Sequence, residues 1–225
     1  MWSPVRSRLA TAGFEAVAPD LLGHGSSTTA PPETTLADLA DAVAGQFDQP
    51  VHLVGFSLGA LIAQHLAIHR PELVSTLTSV SSVCQRTPEE RAAVLARLRG
   101  AKDDFAGSVR ASLTRWYAGT EVPAELVDET QTTLLANDQQ SYLSCYRVFA
   151  TADAELGPRL RSITAPSLAV TGSDDPGSTP QMSQRLADAI PGSRLELFPD
   201  TKHMLPVQRP TEFAELFTAF AQEHS

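Results

Sequence analysis

This 225-residue sequence predicts an α/β fold with a mostly parallel sheet. Short apolar, β-prone runs alternate along it with segments of helical periodicity. The runs are apolar on both faces, as strands covered by helices on two sides are. Residues 51–63, VHLVGFSLGALIA, pass from a strand pattern to a helix pattern through a serine set between two glycines. Such alternation implies right-handed crossovers.

The elements follow in order. Residues 14–19, FEAVAP, form a short apolar run that reads as a strand and leads to Asp20 and the loop LLGHGSSTTAPP. Residues 34–47 place Leu36, Leu39, Ala40, Val43 and Phe47 on one helical face. VHLV is a strand, ALIAQHLAIHRPELV a helix with Pro71 near its end, and residues 75–83 are β-prone. Residues 167–172 and 194–199 read as strands, and residues 181–190 and 211–223 as helices. Between residues 86 and 160 the alternation stops. Thr87-Pro88-Glu89-Glu90 is a helix start and Gly100 fits a helix stop; helical patterns follow over 109–117, 124–136 and 140–150. This stretch reads as a helical cap inserted between two parts of a core, 1–85 and 161–225.

Composition narrows the function. A net charge of −9 argues against a nucleic-acid partner and against attraction to an anionic membrane. The two cysteines, Cys84 and Cys145, do not make a disulfide framework and lack metal-ligand spacing. His and acidic residues do not cluster at ligand spacing, so no metal is expected. There is no Gly-x-Gly-x-x-Gly fingerprint, so no dinucleotide cofactor is expected. The first 14 residues carry no apolar run of signal length, and the apolar region at 51–68 is too short and too polar to span a bilayer. A soluble cytoplasmic protein is the expectation; its oligomeric state is left open.

A Gly-x-Ser-x-Gly pattern arises by chance in roughly one chain in ten of this length. Here it stands where a strand becomes a helix, the place of a nucleophile elbow. A tight turn needs glycine two residues before and two after Ser57, because side chains there would meet neighbouring backbone. The helix that follows favours nearby negative charge. Ser57 then needs a base and the base an orienting acid. Of six histidines, His65 and His69 lie on the helix after the elbow, His52 precedes it, His24 supports the GHG loop, and His224 is in the tail. His203, in the loop after the strand RLELFP, opens on the same sheet edge as Ser57. Asp174 and Asp175 follow SLAVTG on that edge, giving the chain order Ser, Asp, His.

With these residues in place the sequence resembles the α/β-hydrolase superfamily, and most of all the cap-bearing branch of 3-oxoadipate enol-lactonases and related esterases. The matching segments are DLLGHGSS, GFSLG, VTGSDDPGSTP and DTKHMLPVQRP, spread over about residues 2–220. The resemblance implies Asp175 as the triad acid, three residues after the strand-ending Gly172, with Asp174 as fallback. It implies no cofactor. It also implies opening strands and a His-Gly loop that gives one backbone N–H to the oxyanion hole. These are absent from the sequence, so the N–H of Leu58 is the expected donor. The family places one of the absent strands between the DLLGHG strand and the elbow strand. Three consequences stand open: a working protein that starts further upstream, which is favoured; a remnant of low activity; or direct pairing of the two strands.

The expected activity is hydrolysis of a small-molecule carboxylic ester or (enol-)lactone through an acyl-enzyme on Ser57, His203 and Asp175. The alternatives are carbon–carbon bond hydrolysis by the same triad, and a non-catalytic remnant that binds a ligand or partner. In the cap, Trp116, Tyr117, Tyr142, Tyr146 and Phe149 are candidates for an apolar pocket. Arg115 or Arg147 is a candidate partner for a substrate carboxylate, and Trp116 and Arg147 are carried as substrate-binding residues.

Overall fold

In the computed structural model, residues 1–224 are described. Among them, four parallel strands form one sheet in sequence order: β1 (Val51–Phe56), β2 (Val74–Val80), β3 (Ser167–Gly172) and β4 (Arg194–Phe198). Two helices precede it, α1 (Ser3–Thr11) and α2 (Leu36–Ala44). Helix α3 (Leu58–His69) joins β1 to β2, and α8 (Pro180–Ala189) joins β3 to β4. Between β2 and β3 run α4 (Pro88–Asp103), α5 (Phe105–Tyr117), α6 (Ala124–Leu135) and α7 (Gln139–Leu156). The short α9 (Leu205–Gln208) and α10 (Pro210–Gln222) close the chain. No described helix is long and apolar enough to cross a membrane.

The core follows the period-two alternation of a strand. In β3, Ala169 packs with Leu39 of α2, Leu61 and Leu66 of α3 and Leu186 of α8. Its neighbours Leu168 and Val170 pack on the other face with Val5 of α1 and Phe213, Phe217 and Phe220 of α10. Helices therefore cover both faces, which is why β3 is buried along its whole length.

The helix start read at Thr87 has concrete form, and the structure adds a second at Thr35. Thr35 and Thr87 accept from the backbone N–H of Asp38 and Glu90, whose carboxylates accept from Thr35 N and Thr87 N in return. Gly100 does not stop its helix. Helix α4 continues to Asp103, and Asp104 caps α5 by accepting from Gly107 N at 2.8 Å.

Residues 14–19 are not a strand. Phe14 packs against His52 and Phe217, but Val17 is 70% exposed. Among the described residues β1 pairs only with β2, so the direct pairing of residues 14–19 with β1 does not occur. An apolar run without a ladder partner has nowhere to place its backbone N–H and C=O groups in register, and it stays irregular.

Candidate active site

The turn at Ser57 is strained. Its φ of 53° and ψ of −112° lie outside the regions a non-glycine residue favours, between the last residue of β1 and the first of α3. Ser57 N donates to Val80 O at 2.9 Å, which ties the turn to the end of β2. A Cβ on Gly55 would collide with the carbonyl of Gly59 and lie 2.6 Å from Ala60 Cα. Strand and helix therefore approach to backbone contact only because residue 55 is glycine. Gly59 differs from expectation: a Cβ there meets no atom within 4 Å. The crowding is on the strand side of the turn alone, because residue 59 is already on the helix surface. Leu58 is the first residue of α3, so its N–H has no acceptor within the helix.

The loops after β3 and β4 interlock. A Cβ on Gly172 would run into the Thr201 carbonyl and lie 2.9 Å from Lys202 O. Asp174 N donates to Thr201 O at 3.0 Å, and Ser173 N to Phe198 O at 2.8 Å. This contact brings Asp175 to His203. Nδ1 of His203 bonds Asp175 Oδ2 at 2.8 Å, while Asp175 Oδ1 accepts from Gly177 N and Ser178 N, each at 2.9 Å. Asp175 is 2% exposed and His203 5%. Burial pushes the Asp175 carboxyl up, but the charge of His203, its hydrogen bond and the two backbone donors outweigh that and hold it below the usual range. Asp174 is exposed and accepts from Ser173 Oγ.

Two rings lie against His203. Phe56, next to Ser57, is 5.0 Å away between centroids, and Trp116 of α5 stacks at 5.3 Å and 28°. Phe56 places the histidine beside the elbow. The Ser57 hydroxyl makes no side-chain hydrogen bond among the described residues. Behind the ring, Ser81, with φ 46°, donates from Oγ to His203 O at 3.1 Å. Lys202 Nζ donates to Ala118 O at the end of α5, so the histidine loop and the helical segment are joined.

The other candidates separate. Arg147 donates to the carbonyls of Pro32 and Thr34 and is thereby a brace for that loop, not a free group awaiting a carboxylate. Tyr117 is buried among α5 and α6 with its hydroxyl on Thr130, and Phe149 lies under the Arg86 guanidinium at 4.8 Å. Tyr142 and Tyr146 pack on each other at 5.8 Å, with Phe105 5.0 Å from Tyr142. His65 and His69 stack on one another, His24 bonds Leu22 O and His52 bonds Thr76 Oγ1. Phe56, Ser81 and Lys202 were not singled out in the sequence. Phe56 stands in plain view as the second residue of the elbow motif; nothing local marks Ser81. No group of three or more His, Cys, Asp or Glu able to hold a metal occurs among the described residues.

A strained serine turn follows β1, and a buried aspartate–histidine pair joins the loops after β3 and β4 of the same parallel sheet. The family model described as "Alpha/beta hydrolase family" matches residues 1–216. The (E)-2-((N-methylformamido)methylene)succinate hydrolase of Acinetobacter baylyi is 26% identical over 93% of this chain and 81% of its own length. A pimeloyl-[acyl-carrier protein] methyl ester esterase of Neisseria meningitidis is 31% identical over 90% of this chain and 81% of its own. Among solved structures, the enol-lactonase from Burkholderia xenovorans superposes with a TM-score of 0.88 at 23% identity, over 98% of this chain and 85% of its own. The protein is thus a member of the alpha/beta hydrolase family.

Proposed function

We propose that the protein is a serine hydrolase that cleaves a small-molecule carboxylic ester or lactone through an acyl-enzyme. The observation that carries this is the buried Asp175–His203 pair, bonded at 2.8 Å through Nδ1, beside the strained turn of Ser57. With Asp175 accepting from Nδ1–H, the proton-free nitrogen of a neutral His203 is Nε2, and that nitrogen is the base. Ser57 Oγ attacks the carbonyl carbon as its proton passes to Nε2. Leu58 N–H, at the positive end of α3, receives the oxyanion. The imidazolium, stabilised by the Asp175 carboxylate, then protonates the leaving alkoxide or enolate. Water, deprotonated by the same nitrogen, attacks the acyl carbon, releases the acid and restores Ser57. Residues 86–160 act as a cap: Trp116 closes over His203, and the Lys202 contact to Ala118 holds cap and histidine loop together. The names of the relatives, an enol-lactonase and a methyl ester esterase, support the choice of ester or lactone.

The test is intact-mass analysis after treatment with a fluorophosphonate. The wild type gains one probe mass and Ser57→Ala gains none. A wild type left unlabelled, or a Ser57→Ala protein labelled equally, overturns the reading.

A further inference from the structure

We infer that the free edge of β4 pairs with the β4 of a second copy of this chain, antiparallel across a two-fold axis at Leu195, so that two sheets become one. This surface lies at the opposite edge of the sheet from the strand that leads to Ser57, and the inference does not depend on the hydrolase reading.

β4 pairs with β3 on one side, and no other described strand borders it. Ser173 N donates to Phe198 O, so the peptide groups of Phe198 face β3. Peptide groups alternate in direction along a strand. Those of Glu196 and Arg194 therefore face β3 as well, and those of Leu195 and Leu197 face outward. Neither leucine has a main-chain hydrogen bond on that side among the described residues. Leu197 is 41% exposed, and with Pro199 and Leu216 it lines an open groove of about 390 Å³, so the edge is accessible to an incoming strand. Sheets that stay single protect such an edge with a bulge, a proline or repelling charges. The register of β4 against β3 has no bulge, its residues include no proline, and it carries one charge of each sign.

Charge selects both the partner and the register. Arg194 and Glu196 share one face of β4. Arg194 meets Glu223 at the surface at 2.6 Å, and Glu196 makes no ion pair among the described residues. In an antiparallel pair centred on Leu195, each Arg194 stands directly opposite the partner's Glu196, at the closely spaced positions between ladder bonds. The peptide groups of Leu195 exchange bonds across the axis, and each Leu197 N–H reaches the partner's Ser193 C=O. Leu195 and Leu197 of the two copies form a continuous apolar row on the other face. A pair centred on Glu196 sets two carboxylates against each other, and one centred on Arg194 sets two guanidinium groups against each other; like charges directly opposite are unfavourable. A second copy supplies the matching row by symmetry. Pairing gives β4, whose end leads into the loop of His203, a neighbour on each side.

Sedimentation velocity of the full chain, from about 1 to about 100 μM, reads the association. The wild type passes from one to two chain masses over that range. Glu196→Arg makes the row wholly basic, and Leu197→Pro removes an outward N–H and no bond to β3; each weakens the dimer by about tenfold or more. Arg194→Glu weakens it likewise. Arg194→Glu and Glu196→Arg together restore it, because the opposed charges are exchanged and not lost. Glu33→Arg, the same change of charge at an exposed loop position, leaves the association as in the wild type. Thermal melts identify any variant that has lost its fold, and Glu196→Arg, at an exposed side chain, carries the test if Leu197→Pro does not fold. A wild type that stays at one chain mass overturns the inference, as does a dimer that survives both Glu196→Arg and Leu197→Pro. A double variant that associates no better than the single ones overturns the axis at Leu195. Growth beyond two chain masses means that β4 meets the other sheet edge, at β1, and overturns the two-fold pairing.

Discussion

The two sides of the site are built differently. On one side, the loops after β3 and β4 are locked by backbone bonds at 2.8 and 3.0 Å, by the close approach at Gly172, and by three hydrogen bonds on one buried carboxylate. On the other, Ser57 follows β1, a strand with one neighbour among the described residues, next to a segment at 14–19 that forms no ladder. Asp175 and His203 are held by a network; Ser57 is held by one backbone bond to Val80 O and by the backbone contact at Gly55. A proton relay needs its tautomer and angle fixed, which takes several bonds. A nucleophile needs its oxygen presented, and one tight turn does that.

The largest expected effect comes from breaking the network side. Asp175→Asn should lower kcat by roughly three to four powers of ten, through the wrong histidine tautomer, measured on any ester the wild type turns over. The same variant has a pH signature. The Asp175 pKa lies below its unfolded value, so its contribution to stability is complete above about pH 4 and is lost as pH falls through the folded pKa. Urea melts should therefore show the wild type more stable than Asp175→Asn at neutral pH, with the gap narrowing only below that value.

Breaking the local side comes next. Gly55→Ala should cost about 4 kcal/mol or abolish folding, because the obstructing atoms are backbone. Gly59→Ala, with open space around it, should fall within about 1 kcal/mol of the wild type and keep its labelling by fluorophosphonate. Comparable losses from both would mean that Ser57 is not held as described.

The smallest contrast sharpens the comparison along the sheet. Leu168→Ala in β3, buried to 2%, should destabilise by about 2–5 kcal/mol, whereas Val17→Ser in the irregular segment should stay within about 0.5 kcal/mol. Denaturant midpoints check both. A large loss at Val17 would show that residues 14–19 are covered in solution.

Much of this was legible because the signals are short-range. The helix start at Thr87 needs only four consecutive residues, and the Ser57 turn five. Helical periodicity located α2, α8 and α10 within a few residues, whereas the helix read through Val74 ends at His69, where Pro71 opens a short 3-10 turn before β2. The failures came from signals that depend on a partner. Gly100 is a glycine that a helix tolerates, since Asp104 four residues on offers a better start for the next one. FEAVAP has strand composition and no strand beside it.

By itself the sequence determined the α/β class, the elbow, and the loops in which an acid and a histidine could stand, since local turn chemistry and apolar period decide those. The resemblance implied Asp175 over Asp174, and only the tertiary structure shows why Asp175 is the one that meets His203. Adjacent residues differ in direction, and the choice depends on where Gly172 lets a loop 28 residues away come to rest. The same holds in the helical segment between β2 and β3. Trp116 reaches the histidine while Tyr117 serves the core, and Arg147 is taken up by carbonyls more than 100 residues away. Contacts across such separations are set by packing, whose energy is shared among many residues and written in no short stretch of chain.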